Sequence, residues 1–166
     1  MRFRRRALPA LAAASALWLA GCAAPPRAAT APPAAAFWSG RLALQVASEP
    51  PQSLSGGFEL RGSAASGELA LYNPLGSTVA VLAWAPGSAT LRGANGEQRA
   101  FASLEALVTH ATGTALPVGA LFDWLAGTPT EVPGWSVDLS QRERGRLLAR
   151  RQSPAPTAEL RLALER

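Results

Sequence analysis

A mainly β, antiparallel fold carrying one pair of short helices is what this sequence predicts, on three observations. Apolar residues recur at every second position in segment after segment, turn signals separate those segments at hairpin spacing, and two stretches switch to a period near 3.6. Strands that are apolar on one side only must curl into a sandwich or barrel to cover that side.

The chain opens with MRFRRR, which carries four arginines, followed by ALPALAAASALWLA, an apolar run of about 14 residues. The run is too short to span a bilayer and has the charged flank of a secretory signal, which sets residues 1–21 apart from any domain. It ends in Leu19-Ala20-Gly21-Cys22, where Cys22 is the single cysteine of the chain. One cysteine closes no internal disulfide, and directly after a small-residue cleavage site it reads as a lipid acceptor. Residues 22–36 (CAAPPRAATAPPAAA) cannot bury a core and form an extended tether, with a reach on the order of 40 Å. The remainder, residues 37–166, has the size of one domain.

Charge narrows the function classes. The chain has 16 arginines, no lysine and 11 acidic residues. Without the signal, 12 arginines face the 11 acids, a formal +1 that removes the general case for nucleic-acid binding. One basic concentration, RERGRLLARR at 142–151, reads as a solvated strand face, the alternative being an anionic-lipid or partner contact.

Within the domain the strands declare themselves by alternation. WSGRLALQV puts Trp38, Leu42, Leu44 and Val46 on one face and Ser39, Arg41 and Gln45 on the other. SLSGGFELR opposes Leu54, Phe58 and Leu60 to Ser55, Glu59 and Arg61; GELALY contributes Leu69 and Leu71. WSVDLS brings Trp135, Val137 and Leu139, and ELRLALE brings Leu160, Leu162 and Leu164. Turn signals lie at residues 62–67, at 85–88 and at Asn95-Gly96. After six strands come two helices. SLEALVTHATG places Leu104, Leu107, Val108 and Ala111 on one stripe and stops at Gly113; LPVGALFDWLAG does the same with Val118, Leu121, Phe122 and Leu125 between Pro117 and Gly127. Gly40, Gly56 and the alanines interleaved with these large residues are compatible with internal space. For any single leucine on these faces, core packing and the lining of a cavity read alike.

The connection LYNPLGSTVAV poses a question. Asn73, Pro74, Gly76 and Ser77 suit a tight turn, but a leucine at its tip, Leu75, does not. From the residues alone, Leu75 either folds back over its hairpin or touches something outside.

Catalytic chemistry finds little footing. His110 is the single histidine, on a helix with only Glu105 as an acidic neighbour at near-helical spacing, and reads as a partly exposed helix residue. The sequence contains no G-x-S-x-G, no Gly-rich phosphate loop and no Cys/His metal spacing. Neither enzyme nor cofactor is expected.

Taken together, the lipobox-like LAGC, the tether, YNPLGSTVAVL, the stretch LEALVTHATGTALPVGALFDWLAG, GWSVD and the closing AELRLALE resemble the LolB family of outer-membrane lipoprotein receptors. The likeness runs over roughly Phe37 to Glu165, and its most specific pieces are residues 73–78 with the pattern Thr112-Gly113, Leu116-Pro117, Leu121, Trp124-Leu125, Gly127. One departure stands out: the family has a further strand before Trp135, where here only TPTEVPG (128–134) intervenes, which predicts a sheet one or two strands narrower.

The resemblance implies an unclosed antiparallel half-barrel with a short α-helical lid enclosing an apolar cavity. It implies acyl chains of client lipoproteins held by Trp38, Leu42, Leu44, Val46, Phe58, Leu60, Leu69, Leu71, Leu104, Leu107, Val108, Val118, Leu121, Trp124, Leu125, Trp135 and Val137. It further implies a lipid on Cys22 and, since Ala23 follows where Asp would retain the protein, an anchor in the outer membrane facing the periplasm. Asn73, Pro74, Leu75 and Gly76 become the loop that delivers lipid into the inner leaflet. The implied partners are a LolA-like periplasmic carrier and its acylated clients, with a monomeric receptor and no nucleic acid. The competing non-catalytic reading is an outer-membrane lipoprotein that binds another amphiphile or serves as an assembly scaffold.

Overall fold

The computed structural model describes residues 35–165. The signal segment, Cys22 and all but the last two residues of the tether lie outside the described residues. Nine strands form one antiparallel sheet: β1 (Ala36–Val46), β2 (Gln52–Gly62), β3 (Gly67–Tyr72), β4 (Thr78–Ala85), β5 (Ser88–Gly93), β6 (Gln98–Phe101), β7 (Trp135–Asp138), β8 (Arg146–Arg151) and β9 (Ala158–Leu164). Their spatial order is β6-β5-β4-β3-β2-β1-β9-β8-β7. The two ends, β6 and β7, do not pair, so the sheet is open. In sequence those two edge strands are joined by α1 (Leu104–Thr112) and α2 (Val118–Ala126).

The register explains why alternation dominates the sequence. Trp38 stands opposite Leu60, Leu60 opposite Leu69, Leu69 opposite Leu82 and Leu82 opposite Leu91, one apolar row across five strands. A second row runs from Leu44 through Leu160 and Ala149 to Val137. A one-residue slip of any strand would turn its row into water, so the burial pattern holds the register.

Both helices begin and end on local signals. Ser103 caps α1, its hydroxyl oxygen accepting from the Ala106 N–H at 3.2 Å. Gly113 closes α1 in the left-handed region with its N–H donating to the Thr109 carbonyl, and Gly127 closes α2 in the same conformation. Phe122 fixes α2 to the sheet: Trp38 and Trp84 meet it edge-on, with ring centroids at 5.6 and 6.2 Å. Residues 128–134, between α2 and β7, form no strand.

Gly40 and Gly56 have a different physical reason from the internal space their composition suggests. A Cβ on Gly40, whose φ is +154°, would sit 2.1 Å from the Ala163 carbonyl oxygen, and one on Gly56 would sit 2.2 Å from that of Tyr72. These glycines let neighbouring backbones approach closely. Gly40→Ala is therefore expected to cost about 2 kcal/mol or more, read as a lower urea midpoint at unchanged m-value.

Candidate functional site

The concave face of the sheet and the two helices enclose a cavity of about 460 Å³, inside the range of roughly 300–1,000 Å³ that ligand sites span. Leu91 of β5, Leu71 of β3, Leu162 of β9 and Trp135 of β7 line the same space, which requires the sheet to curl around it. From the helices come Leu104, Val108, Val118, Leu121, Trp124 and Leu125. Only His110 and Thr112 bring a polar side chain apart from the indoles, and no charged residue lines the wall.

The polar atoms near the wall are already partnered. The Thr112 hydroxyl lies 2.8 Å from both the Val108 and Thr114 carbonyls. The indole N–H of Trp84 donates to the Ser63 carbonyl at 3.0 Å, and that of Trp124 to the Thr130 carbonyl at 2.9 Å. His110 is exposed, lies against Phe101 with ring planes tilted by 45° and centroids 5.2 Å apart, and shares a 3.3 Å contact with Arg99. No nucleophile stands beside it among these contacts. The interior offers a ligand apolar surface and almost nothing else.

The cavity wall is not uniformly buried. Leu42, Leu69, Leu71, Leu91, Leu116, Val118 and Leu121 all line the cavity yet remain only partly buried. By contrast Leu107, which does not line the cavity, is 0% exposed. The helical stripe thus divides: Leu107 is packed solid, while Leu121 lines the cavity and stays partly exposed.

Of the seventeen acyl-cavity positions read from the resemblance, thirteen line this cavity: Leu42, Leu44, Phe58, Leu60, Leu69, Leu71, Leu104, Val108, Val118, Leu121, Trp124, Leu125 and Trp135. The other four do not. Trp38 packs against Phe122, Leu107 lies in the solid core, Val46 is buried at the far end of β1, and Val137 packs at the β7 edge. The wall also includes Leu54, Val79, Leu82, Trp84, Leu116, Leu160 and Leu162. Leu54, Leu160 and Leu162 could have been found, since their alternation was already read.

The β3–β4 connection is a built structure. The Gly76 N–H donates to the Asn73 carbonyl at 2.9 Å, closing a β-turn with Pro74 and Leu75 at its corners. The Asn73 side-chain oxygen accepts from the N–H groups of Leu75 at 2.9 Å and Ser77 at 3.0 Å, and Gly76 takes φ +83°. With its backbone held this way, Leu75 projects outward and is 91% exposed. It does not fold back over the hairpin.

Two arginines from the basic run hold the helical layer to the sheet. Arg142 donates from Nε (3.1 Å) and Nη2 (2.9 Å) to the Leu125 carbonyl at the C-terminus of α2. Arg151 donates to the hydroxyl of Thr114, which is 2% exposed in the α1–α2 connection. The run at 142–151 is accordingly not a uniformly solvated face: Arg144, Arg146 and Arg150 are exposed, while Arg142 and Arg151 are partly buried against the lid.

An open antiparallel half-barrel, capped by two short helices around an unfilled apolar chamber, defines a carrier or receptor of apolar groups. Comparison with known proteins then gives the family. The family model described as "Outer membrane lipoprotein LolB" matches residues 37–156. A protein named outer-membrane lipoprotein LolB from Bordetella petrii is 34% identical over 179 aligned positions, covering 93% of this chain and 90% of its own length. Proteins of the same name from Cupriavidus metallidurans (33% identical, 90% of this chain and 75% of the relative) and Azoarcus sp. (35%, 82% and 71%) are similarly related. The chain belongs to the LolB family, a family of non-enzymatic lipoprotein-localisation proteins.

The division between packed and hollow can be measured. Leu107→Ala should cost 2–5 kcal/mol, as fully buried leucines do, whereas Leu121→Ala should cost less than half as much by the same urea titration. Arg142→Ala should lower stability by about 1–2 kcal/mol and raise amide hydrogen exchange selectively in α2.

Proposed function

We propose that this chain is an outer-membrane receptor that accepts lipoproteins from a LolA-like periplasmic carrier and passes them to the inner leaflet of the outer membrane. The observation that carries the reading is the lidded, partly unfilled apolar cavity with a rigidly presented leucine outside it. Membership of the family named for outer-membrane lipoprotein LolB supports it.

Exposing one acyl chain of about 15 methylenes to water costs on the order of 12 kcal/mol, so free diffusion of a multiply acylated client is excluded. Two matching apolar cavities remove the aqueous step, and a modest affinity difference then sets direction. In this reading thirteen of the named wall residues hold the acyl chains, and no cofactor takes part. Cys22 carries the lipid anchor, residues 22–36 form the tether from the periplasmic face of the membrane, and the receptor acts as a monomer. Leu75, held out by Asn73, Pro74 and Gly76, enters the bilayer interface and opens a path for the client.

Leu75→Glu in the lipid-anchored protein tests this. The variant should take client from the carrier normally, yet transfer it to liposomes at least about tenfold more slowly, because a carboxylate resists entry into the acyl region. Unchanged transfer would remove the membrane role from the loop. A second set of probes, uptake of an acylated peptide or an apolar dye, should be saturable; an assembly scaffold with a filled interior would take up neither.

A further inference from the structure

Outside the cavity, on the opposite face of the sheet, a groove of about 530 Å³ runs from Pro74 across β2, β1, β9 and β8 to Asp138. Its basic side chains converge on one small residue. Arg41 of β1 and Arg146 of β8 are each register partners of Ala163 on β9, and Arg161 lies two residues before Ala163 on the same face. Two strand spacings put Arg41 and Arg146 about 10 Å apart, with the alanine as a low floor between them. All three arginines are exposed.

Their charge is only partly answered by the protein. Arg161 pairs with Glu159, which Arg150 also holds at 2.8 Å, and Arg150's hydrogen bond keeps that carboxyl below its ordinary value. Asp138, at the far end of the groove, accepts from the Ser140 N–H at 2.9 Å. Arg41 and Arg146 form no ion pair among the described residues. Positive charge that the described residues leave unanswered is thus concentrated in one place, beside the base of the loop that presents Leu75.

We propose that Arg41, Arg146 and Arg161 bind the phosphate of an anionic phospholipid in the bilayer while Leu75 enters its acyl region. This rests on the delivery role proposed above and specifies which lipids that delivery engages. Guanidinium groups suit phosphate oxygens and remain charged at any relevant pH. An apolar tip with basic side chains set back from it matches the layering of a membrane surface, tails beneath headgroups. Pro74, the residue before Leu75, itself lines the groove, which sets the arginines beside the turn that presents the leucine.

The test uses the full lipid-anchored protein in vesicles of phosphatidylcholine alone or with phosphatidylglycerol, with client supplied by the carrier. A basic residue at an anionic surface is worth about fivefold in binding. Wild type should therefore transfer client several-fold faster into the phosphatidylglycerol vesicles, an advantage that about 0.5 M salt removes. Arg41→Gln with Arg146→Gln should abolish the advantage while leaving client acceptance and transfer into phosphatidylcholine intact, and Arg41→Lys with Arg146→Lys should restore much of it. Wild-type transfer indifferent to phosphatidylglycerol, or a double variant that keeps the preference, would overturn the inference. So would a double variant that fails at acceptance from the carrier, which would make the groove a protein-docking site. The delivery reading fails separately: there, wild type transfers no client to either vesicle, or does so without need of Leu75.

Discussion

Everything in this molecule follows from an apolar sheet face too wide for its cover. Nine strands present leucines, tryptophans and a phenylalanine toward the interior, and two nine-residue helices are the lid. Ordinary interiors reach crystal-like density because residues from both layers interdigitate. Here the helices do so along one line, through Leu107, Phe122, Trp124 and Leu125, and leave about 460 Å³ beside it. A space of that size forgoes the contacts that a filled interior would make. A chain that retains such a chamber has a use for it.

The rest of the structure supports that chamber. Phe122, wedged between Trp38 and Trp84, packs α2 on the sheet together with the buried Ala120, Trp124 and Leu125, and the α1–α2 connection and the end of α2 are held by Arg151 and Arg142. They place the lid while Val118 and Leu121, packed at the margin of the core, still line the cavity and stay partly exposed. The outer surface is built on the same economy: a turn held by Asn73 keeps a leucine in water, beside a groove in which Arg41 and Arg146 form no ion pair among the described residues.

Much of this was legible in the sequence, and the reasons for the remainder are specific. Strands β1, β2, β3, β7 and β9 announce themselves because a sheet wet on one face must alternate, and both helices end at the glycines that mark them. The exposed tip at Leu75 was legible as an anomaly, a residue type at odds with its turn. What periodicity could not separate was Leu107 from Leu121, since both sit on correct helical stripes and only the width of the space opposite decides which is packed. Gly40 and Gly56 misled for a related reason: a glycine records that something is close, and composition does not say whether it is a neighbouring backbone or a void. Arg142 and Arg151 looked like members of a solvated run because their targets, Leu125 O and the Thr114 hydroxyl, come from a distant part of the chain.

The central claim is that acyl chains occupy the hollow side of the sheet. The most direct measurement is photo-crosslinking from a client lipopeptide that bears a diazirine on its acyl chain, transferred to the anchored protein and mapped by mass spectrometry. Adducts on Phe58, Leu71, Leu121 or Trp124, with none on Leu107, are the predicted result. Adducts confined to the outer surface, or none above background, would contradict it.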